Sequence, residues 1–254
     1  MTMPWNQSEN GLKPECYEDA AIPGPISVFE DLFGHDRRRV TKGTRLRRER
    51  DESHARFYVA AGWLAVSKSL EDGEHQILDF ILPGETYDPT AADGKTSFVE
   101  VEALCDAVVV TIDRGVWSRL LRDHSDLWDA ECRRDIAAHA RQSERMLRLG
   151  KSSAETRVAY ALIELCLRLS GCGTTSDCTF HVPLGQQQLG DFIGLSSVHV
   201  CRTLRRLARQ GIITTGDHMD ITIHDVSALA DLAGVDLAAL RTEIIPGGSP
   251  PIRP

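Results

Sequence analysis

Four arginines recur on one face of a predicted helix near the carboxyl-terminal end of the chain. The segment SSVHVCRTLRRLARQG (196–211) begins at a serine that can cap a helix and ends at a glycine. At 100° per residue, one face carries Val198, Arg202, Arg205, Arg206 and Arg209, with His199 on its flank. Arginine pairs with the two major-groove acceptors of guanine or neutralises phosphates, so this face predicts contact with DNA.

The position of each residue along this helix predicts what it contacts. The amino-terminal end of such a helix enters the major groove. Four residues of that end are expected to meet base edges: Ser197, Val198, His199 and Arg202. The later arginines are expected to meet backbone phosphates: Arg205, Arg206 and Arg209. The alternative is a solvated surface that balances acids elsewhere in the chain.

The flanking segments predict a winged helix-turn-helix around this face. LGQQQLGDFI (184–193) has the pattern of a short amphipathic helix, and Gly194 supplies a tight turn before the second helix. GIITTGDHMDITI (211–223) alternates on both sides of Gly216 and Asp217, as a hairpin does. A further helix is expected over 225–241, and the segment after it is too rich in proline and glycine to pack.

The composition makes a local patch of positive charge informative. The chain has 254 residues, 42% of them hydrophobic, and 29 basic against 37 acidic residues give a net charge of −8. Any affinity for nucleic acid must therefore come from a local patch rather than from the whole surface. No apolar run approaches the length of a membrane span, and the amino terminus lacks the apolar segment of a secretory signal. We expect a cytoplasmic protein without a membrane partner.

Short strand patterns fill the first half of the chain. They fall at 57–66, 75–82, 97–104 and 107–112, and turn residues separate them. Closely spaced short strands favour an antiparallel barrel or roll, here followed by helices in an α+β fold. Before these strands, the proline-containing residues 1–25 are predicted to form a flexible arm.

A long helix is predicted between the strands and the winged helix-turn-helix. Residues 125–149 contain no proline or glycine, and Ser125 is a candidate cap. A narrow apolar stripe runs along this helix: Trp128, Cys132, Ile136, Ala140 and Leu147. Such a stripe suits a contact between two helices, so we expect a dimer seam, although Ser143 interrupts it. The alternative is a helix that lies on its own β domain.

The order of these parts resembles the Crp/Fnr superfamily of bacterial transcription regulators over residues 26–235. The most specific stretch is GLSSVHVCRTLRRL (194–207), which is similar to a branch with a VHVxRTL string. ERMLRLGKSSAETRVAY (144–160) fits the join between the long helix and the DNA-binding domain. The resemblance implies a homodimer on a palindromic operator, which agrees with half-sites one helical turn apart. It also implies RNA polymerase as a partner.

Together, the patterns and the resemblance divide the chain into five parts. These are a flexible arm (1–25), a cyclic-nucleotide-binding-like β-roll sensory domain (26–115), a linker and dimerisation helix (116–150), a winged helix-turn-helix DNA-binding domain (151–240) and a flexible tail (241–254). The predicted function is sequence-specific control of transcription through double-stranded DNA.

The residues that the resemblance assigns to an effector are incomplete in this chain. Members that bind cyclic nucleotides place a Gly-Glu pair against the ribose and an Arg-Ser or Arg-Thr pair against the cyclic phosphate. Gly84 and Glu85 fit the first pair, whereas Lys95 and Thr96 stand near the second and supply no arginine fork. A turn of the roll is the favoured interpretation of Gly84 and Glu85. A response to cyclic AMP is therefore not expected, although Lys95 leaves it open.

Cysteine and histidine positions do not predict a cofactor. The chain has seven cysteines and no CxxC motif, which suits reduced thiols. Iron-sulfur members of the superfamily use an amino-terminal cysteine cluster, but this chain offers only Cys16 there and Cys105 within the roll. A haem sensor stays open, because five histidines lie in that half: His35, His54, His75, His124 and His139. A redox pair of Cys172 and Cys178, or a metal bound by them with His181, is a less favoured alternative.

Two other classes of protein compete with a regulator. An enzyme or a metal-binding sensory protein could use the β-roll without DNA, but the sequence has no glycine-rich phosphate loop, HExxH motif or nucleophile elbow. A ligand-gated interaction protein that has lost DNA binding predicts an interrupted basic face, and the face is intact along its helix. We therefore expect no enzymatic activity and no catalytic residues.

Overall fold

Two antiparallel sheets of four strands form the first domain of the computed structural model. The structure describes residues 36–170, 178–216 and 220–247, so the predicted flexible arm (1–25) lies outside it. Eight strands build the two sheets: β1 (Arg38–Val40), β2 (Arg45–Arg47), β3 (Ala55–Ala61), β4 (Leu64–Ser69), β5 (His75–Ile81), β6 (Thr86–Tyr87), β7 (Glu100–Ala103) and β8 (Ala107–Asp113). The strand orders are β1-β8-β3-β6 and β2-β7-β4-β5.

Valines and other apolar side chains form the core of this domain. Val59 of β3 pairs with Val109 of β8, and Val66 of β4 pairs with Val101 of β7. All four side chains are buried in one cluster. Because alternate residues of a strand point to opposite faces, each sheet directs one apolar face inward. The predicted antiparallel β-roll within an α+β fold is confirmed.

The strands of this domain differ from the sequence prediction at several places; the two-residue strand β6, for example, was not predicted. The stretch 57–66, predicted as one strand, is the hairpin of β3 and β4. Its turn depends on Gly62, which has a φ of +78° and whose Cβ would lie 2.6 Å from the carbonyl oxygen of Asp106. The strands β1 and β2 were not predicted, because their sequences RRV and RLR are mostly basic. They form through backbone pairing with β8 and β7.

Three helices follow the roll. They are α1 (Arg114–Asp123), α2 (Ser125–Lys151) and α3 (Ala154–Ser170). The predicted long helix is present as α2, but it continues through Gly150, and its N-cap is His124 rather than Ser125. In the part of the chain that the structure describes, we find no helix with both the length and the apolar character that crossing a membrane requires.

The carboxyl-terminal domain is a three-stranded sheet surrounded by helices. After α3 come β9 (Cys178–His181), α4 (Gln186–Ile193), α5 (Ser197–Arg209), β10 (Ile213–Thr215), β11 (Asp220–Ile223), α6 (Val226–Ala233) and α7 (Leu237–Ile244). The strand order β10-β11-β9 shows that the predicted hairpin gains a third strand.

The end of the chain differs from its prediction. The helix expected over 225–241 is two helices, because Gly234 takes a left-handed conformation and Asp236 caps α7. The predicted tail (241–254) begins too early, since Ile244 is buried and Ile245 packs against the same core. The packed domain therefore extends at least five residues beyond the predicted boundary at 240.

A single apolar core joins the roll to the carboxyl-terminal domain. Trp63, Phe80 and Leu104 of the roll belong to the same buried cluster as Phe192 of α4. The rings of Phe80 and Phe192 lie 4.5 Å apart between centroids. Gln76 of β5 also donates its side-chain amide to the carbonyl of Phe192 at 3.1 Å. The two domains therefore pack directly against each other.

A cluster of buried charges lies at the same junction. The Asp79 carboxylate of β5 accepts hydrogen bonds from Arg145 at 3.1 Å and Arg168 at 3.0 Å, and Arg141 lies 3.5 Å away. Burial by itself raises the pKa of Asp79, but the charges of the three arginines outweigh it and hold that pKa well below its usual range. We call the six connected residues the junction network: Asp79, Glu85, Arg141, Arg145, Glu164 and Arg168.

Replacement of Asp79 by asparagine should destabilise the protein by about 3–5 kcal/mol, because three arginines in a buried site lose an anionic partner. The free energy of unfolding in urea at neutral pH measures the effect. The control is Asp72→Asn, at an exposed aspartate between β4 and β5, and it should change that free energy by no more than about 0.5 kcal/mol. Equal effects of the two substitutions would contradict the role given to Asp79.

Candidate nucleic-acid interface

Two glycines build the turn between α4 and α5. Gly194 ends α4 with a φ of +67°, and the N–H groups of Gly194 and Leu195 both donate to the carbonyl of Gly190. At Gly190, a Cβ atom would lie 2.3 Å from the carbonyl oxygen of Leu195. The backbone can pass this closely only because residue 190 has no side chain. The predicted helix-turn-helix is present.

Ser196 fixes the start of α5 as its N-cap residue. The Ser196 hydroxyl accepts a hydrogen bond from the backbone N–H of His199 at 3.4 Å, and it lies 2.9 Å from Nδ1 of the His199 ring. The ring is thus held with one nitrogen toward the cap. Nε2 is the ring nitrogen that a ligand can reach.

The two sides of α5 differ in burial. Val200, Leu204 and Leu207 pack into the core. The opposite side is exposed and carries Val198, His199, Arg202, Arg205, Arg206 and Arg209. Ser197 is half-buried at the margin of this surface. The structure therefore brings six of the predicted contact residues onto one exposed face and places the seventh at its edge.

One of the four arginines has an acidic partner. Nε of Arg206 lies 3.1 Å from Oε1 of Glu155 in the first turn of α3. The sequence did not indicate this contact, because Glu155 is distant in the chain and belongs to another helix. Arg202, Arg205 and Arg209 form no ion pair with any residue that the structure describes. Three guanidinium groups are thus available, while the fourth links α5 to α3.

Polar side-chain pairs connect the strands of the wing. Thr179 and Thr222 lie 3.1 Å apart between hydroxyl oxygens, and Nδ1 of His181 lies 2.6 Å from Oδ1 of Asp220. These contacts join β9 to β11, behind the tip of the hairpin. The tip itself, at 217–219, lies outside the described residues.

Each of the two domains matches the model of a known domain family. Residues 37–124 match the cyclic nucleotide-binding domain model, and residues 156–232 match the Crp-like helix-turn-helix domain model. The chain is 30% identical over 177 residues to the nitrogen fixation regulation protein FixK of Azorhizobium caulinodans, and the match covers 69% of this chain and 70% of FixK. The chain belongs to the Crp/Fnr superfamily.

Other Crp/Fnr relatives match more of the chain. The transcriptional activator protein Anr of Pseudomonas aeruginosa is 28% identical over 238 residues, which cover 89% of this chain and 91% of Anr. The solved structure of FixK2 from Bradyrhizobium japonicum superposes with a TM-score of 0.70 at 24% identity, covering 79% of this chain and 98% of that one. This likeness shows that the two share a fold.

The predicted effector residues of this Crp/Fnr chain do not come together around one cavity. Gly84, with a φ of +83°, and Glu85 form a turn that is hydrogen-bonded to the backbone of β3. Lys95 is exposed, and Thr96 donates its hydroxyl to Asp93 at 2.8 Å. A cavity of 280 Å³ lies beside Glu85, and neither Lys95 nor Thr96 lines it.

The carboxylate of Glu85 is engaged by the protein itself. Oε2 accepts hydrogen bonds from the backbone N–H of Leu82 at 2.9 Å and from Arg168 at 2.9 Å, and Oε1 lies 3.2 Å from the same arginine nitrogen. The Glu85 side chain is 26% exposed beside the cavity, but its charge is already paired with that of a buried arginine. Because Glu85 is paired in this way and no arginine stands at Lys95 and Thr96, the residues of this chain do not fit a cyclic nucleotide.

The candidate metal ligands are also dispersed. Within the described ranges, no group of three or more histidine, cysteine or acidic residues is placed to hold a metal ion. Cys166 is buried in the core of α3, and His181 pairs with Asp220 in the wing. Cys16, His35 and Cys172 lie outside the described residues. Of the histidines that left a haem sensor open, His54, His75 and His139 are exposed, before β3, on β5 and on α2 respectively.

Most of the predicted seam on α2 is exposed in the single chain. Trp128 is 54% exposed, Ile136 68% and Leu147 56%, while Cys132 is half-buried. Ala140 differs, because it packs partly against the core of its own chain. The other side of α2 packs inward through buried residues: Leu127, Glu131, Ala137, Arg141, Arg145 and Arg148. The apolar stripe is therefore not the surface by which α2 packs on its own β domain.

Gly190→Ala should disrupt the turn between α4 and α5 and lower the free energy of unfolding by about 1–3 kcal/mol, because the new Cβ overlaps the backbone of Leu195. Gly150→Ala is the matched control, since it also lies in a helix and its Cβ would meet no atom within 4 Å. The control should raise that free energy by about 0.5–1 kcal/mol. Urea unfolding followed by circular dichroism measures both, and effects of the same sign would refute this account of Gly190.

Proposed function

We propose that this protein is a dimeric transcription regulator that binds duplex DNA at specific sequences. The observation that carries the proposal is the exposed face of α5, where Arg202, Arg205 and Arg209 have no acidic partner among the described residues. A helix presented in this way after a glycine turn is suited to the major groove. The relatives FixK and Anr, named as a regulation protein and a transcriptional activator, support the same function.

The geometry of α5 suggests a role for each contact residue. Arg202 lies one turn into the helix and can pair with a guanine. Val198 and the free Nε2 of His199 lie at the end that enters the groove, beside Ser197. Arg205 and Arg209 lie further along and neutralise phosphates. Arg206 remains 63% exposed beside Glu155, so it can reach a phosphate without leaving its partner.

The exposed stripe of α2 supports a homodimer. A helix that buries one face in its own chain and leaves Trp128, Ile136 and Leu147 in solvent has a second apolar face to cover. Pairing two copies of α2 covers it and presents α5 twice, as a palindromic operator requires. We also propose RNA polymerase as a partner, because relatives such as Anr are named as transcriptional activators.

Arg202→Ala should weaken binding to the preferred operator by about 1–3 kcal/mol while changing non-specific binding much less, because it removes a base contact. Arg209→Ala should weaken binding to all sequences alike and reduce the slope of log K against log salt by about 1 per site. Fluorescence anisotropy with labelled duplexes, over a range of salt concentrations, separates the two effects.

Arg119→Ala is the control for these two variants. Arg119 is an exposed arginine of α1, so the substitution removes the same charge at a distance from α5. It should leave both the affinity and the salt slope close to wild type. If all three variants behaved alike, general charge rather than the face of α5 would explain the binding.

Ile136→Glu should convert a dimer into a monomer of 28.1 kDa, because it places a charge in the centre of the seam. Leu70→Glu is the matched control: Leu70 is 69% exposed, as Ile136 is 68% exposed, but it lies in a turn of the roll. Light scattering after size exclusion measures the mass. A dimer that survives Ile136→Glu would contradict the assigned seam.

Cys132 reports how the two helices align. It lies in the first third of α2, so a parallel pair brings the two Cys132 thiols together, whereas an antiparallel pair separates them by roughly 18 Å along the axis. Presenting both copies of α5 to one duplex requires a parallel pair, so mild oxidation should give a cross-linked dimer that is absent in Cys132→Ser. No cross-link in the wild type would contradict a parallel seam.

A further inference from the structure

Arg168 connects the carboxyl-terminal domain to the roll. It lies in the last turn of α3, and its side chain is only 2% exposed. One nitrogen donates to Asp79 at 3.0 Å; the other donates to the carbonyl of Phe80 at 2.7 Å and to Glu85 at 2.9 Å. All three acceptors belong to the roll. The planar fork of one guanidinium group therefore holds β5 and the turn after it at the same time.

The surrounding charges balance. The junction network contains three arginines and three acidic residues, so its formal charge is zero. Arg141 and Arg145 come from α2, while Glu164, completely buried, comes from α3. Removing one member leaves an uncompensated charge in a buried site, which is strongly unfavourable. Charge balance thus ties the roll, α2 and α3 to one mutual arrangement.

Glu85 links the junction network to the position at which related proteins bind an effector. In cyclic-nucleotide binders that this chain resembles, the Gly-Glu pair faces the ribose of the ligand. Here the two oxygens of Glu85 face Arg168 and the N–H of Leu82 instead. An internal cation from the other domain therefore neutralises the carboxylate that an effector would need, which remains 26% exposed.

We propose that Arg168 acts as a built-in substitute for an effector: through Asp79, Phe80 and Glu85 it sets the orientation of the carboxyl-terminal domain on the roll, and it makes the roll unreceptive to cyclic nucleotides. The orientation is then a property of the chain itself. All of these contacts lie within one chain and are present whether or not α5 binds DNA.

Amide hydrogen exchange on the free, full-length protein tests the first part, because exchange rates follow local opening. In Arg168→Gln, peptides covering 76–86 and 186–193 should exchange at least about tenfold faster than in the wild type, while β8 in the centre of the roll stays protected. Unchanged exchange in both peptides would overturn the proposal, since Arg168 would then only fill space.

Two further variants keep this test decisive. Arg114→Gln is the control, because Arg114 is an exposed arginine paired with Asp88 within the roll, at 3.5 Å, and its loss should leave both peptides unchanged. Glu85→Gln leaves Arg168 paired with Asp79 and suits the case in which Arg168→Gln does not fold. It should accelerate exchange in the same two peptides, and wild-type rates in this variant would refute the link through Glu85.

Isothermal titration of the wild type with cyclic AMP and with cyclic GMP tests the second part. No saturable binding is expected up to about 1 mM of either nucleotide. Binding of either one in the micromolar range, with Arg168 in place, would overturn the proposal. Neither experiment contains DNA, so a failure of the proposed regulatory function would appear in the anisotropy measurements and leave these results unaffected.

Discussion

Neutrality of the buried charges between the domains is the constraint on which the rest of the structure depends. Apolar packing of Phe80 against Phe192 supplies buried area, but such packing tolerates small changes of angle. Buried arginines and carboxylates do not tolerate such changes of angle, because each needs its partner at hydrogen-bond distance. The buried arginines and carboxylates therefore specify the relative orientation of β5, α2 and α3. The packing of the aromatic rings stabilises the contact between the domains.

The helix α5 was predictable because the signals for it are local. A serine cap, a glycine stop and arginines at helical spacing all lie within 196–211, and the structure has α5 there with its arginines exposed. Backbone pairing was harder to predict. The basic segments β1 and β2 become strands only because β8 and β7 offer them unpaired edges, and nothing within three residues reveals such a partner.

The burial of the arginines of α2 was also hard to predict, because it depends on partners distant in the sequence. Arg141, Arg145 and Arg148 recur at helical spacing, as those of α5 do, yet they are buried and those of α5 are exposed. The difference lies in partners such as Asp79, more than 60 residues away in the chain. A stripe of arginines opposite the apolar stripe of a long helix was the available signal. Without the position of Asp79, it is also the pattern of an ordinary solvated face.

The helix α3 contacts α5 at one end and the roll at the other. Glu155 in its first turn contacts Arg206, and Arg168 in its last turn contacts Glu85. Thirteen residues, roughly 20 Å of rigid rod, separate the two contacts. A rotation of α3 by about 5° about its end at the roll would displace its other end by roughly 2 Å. A displacement of that size is enough to break a hydrogen bond to a base edge.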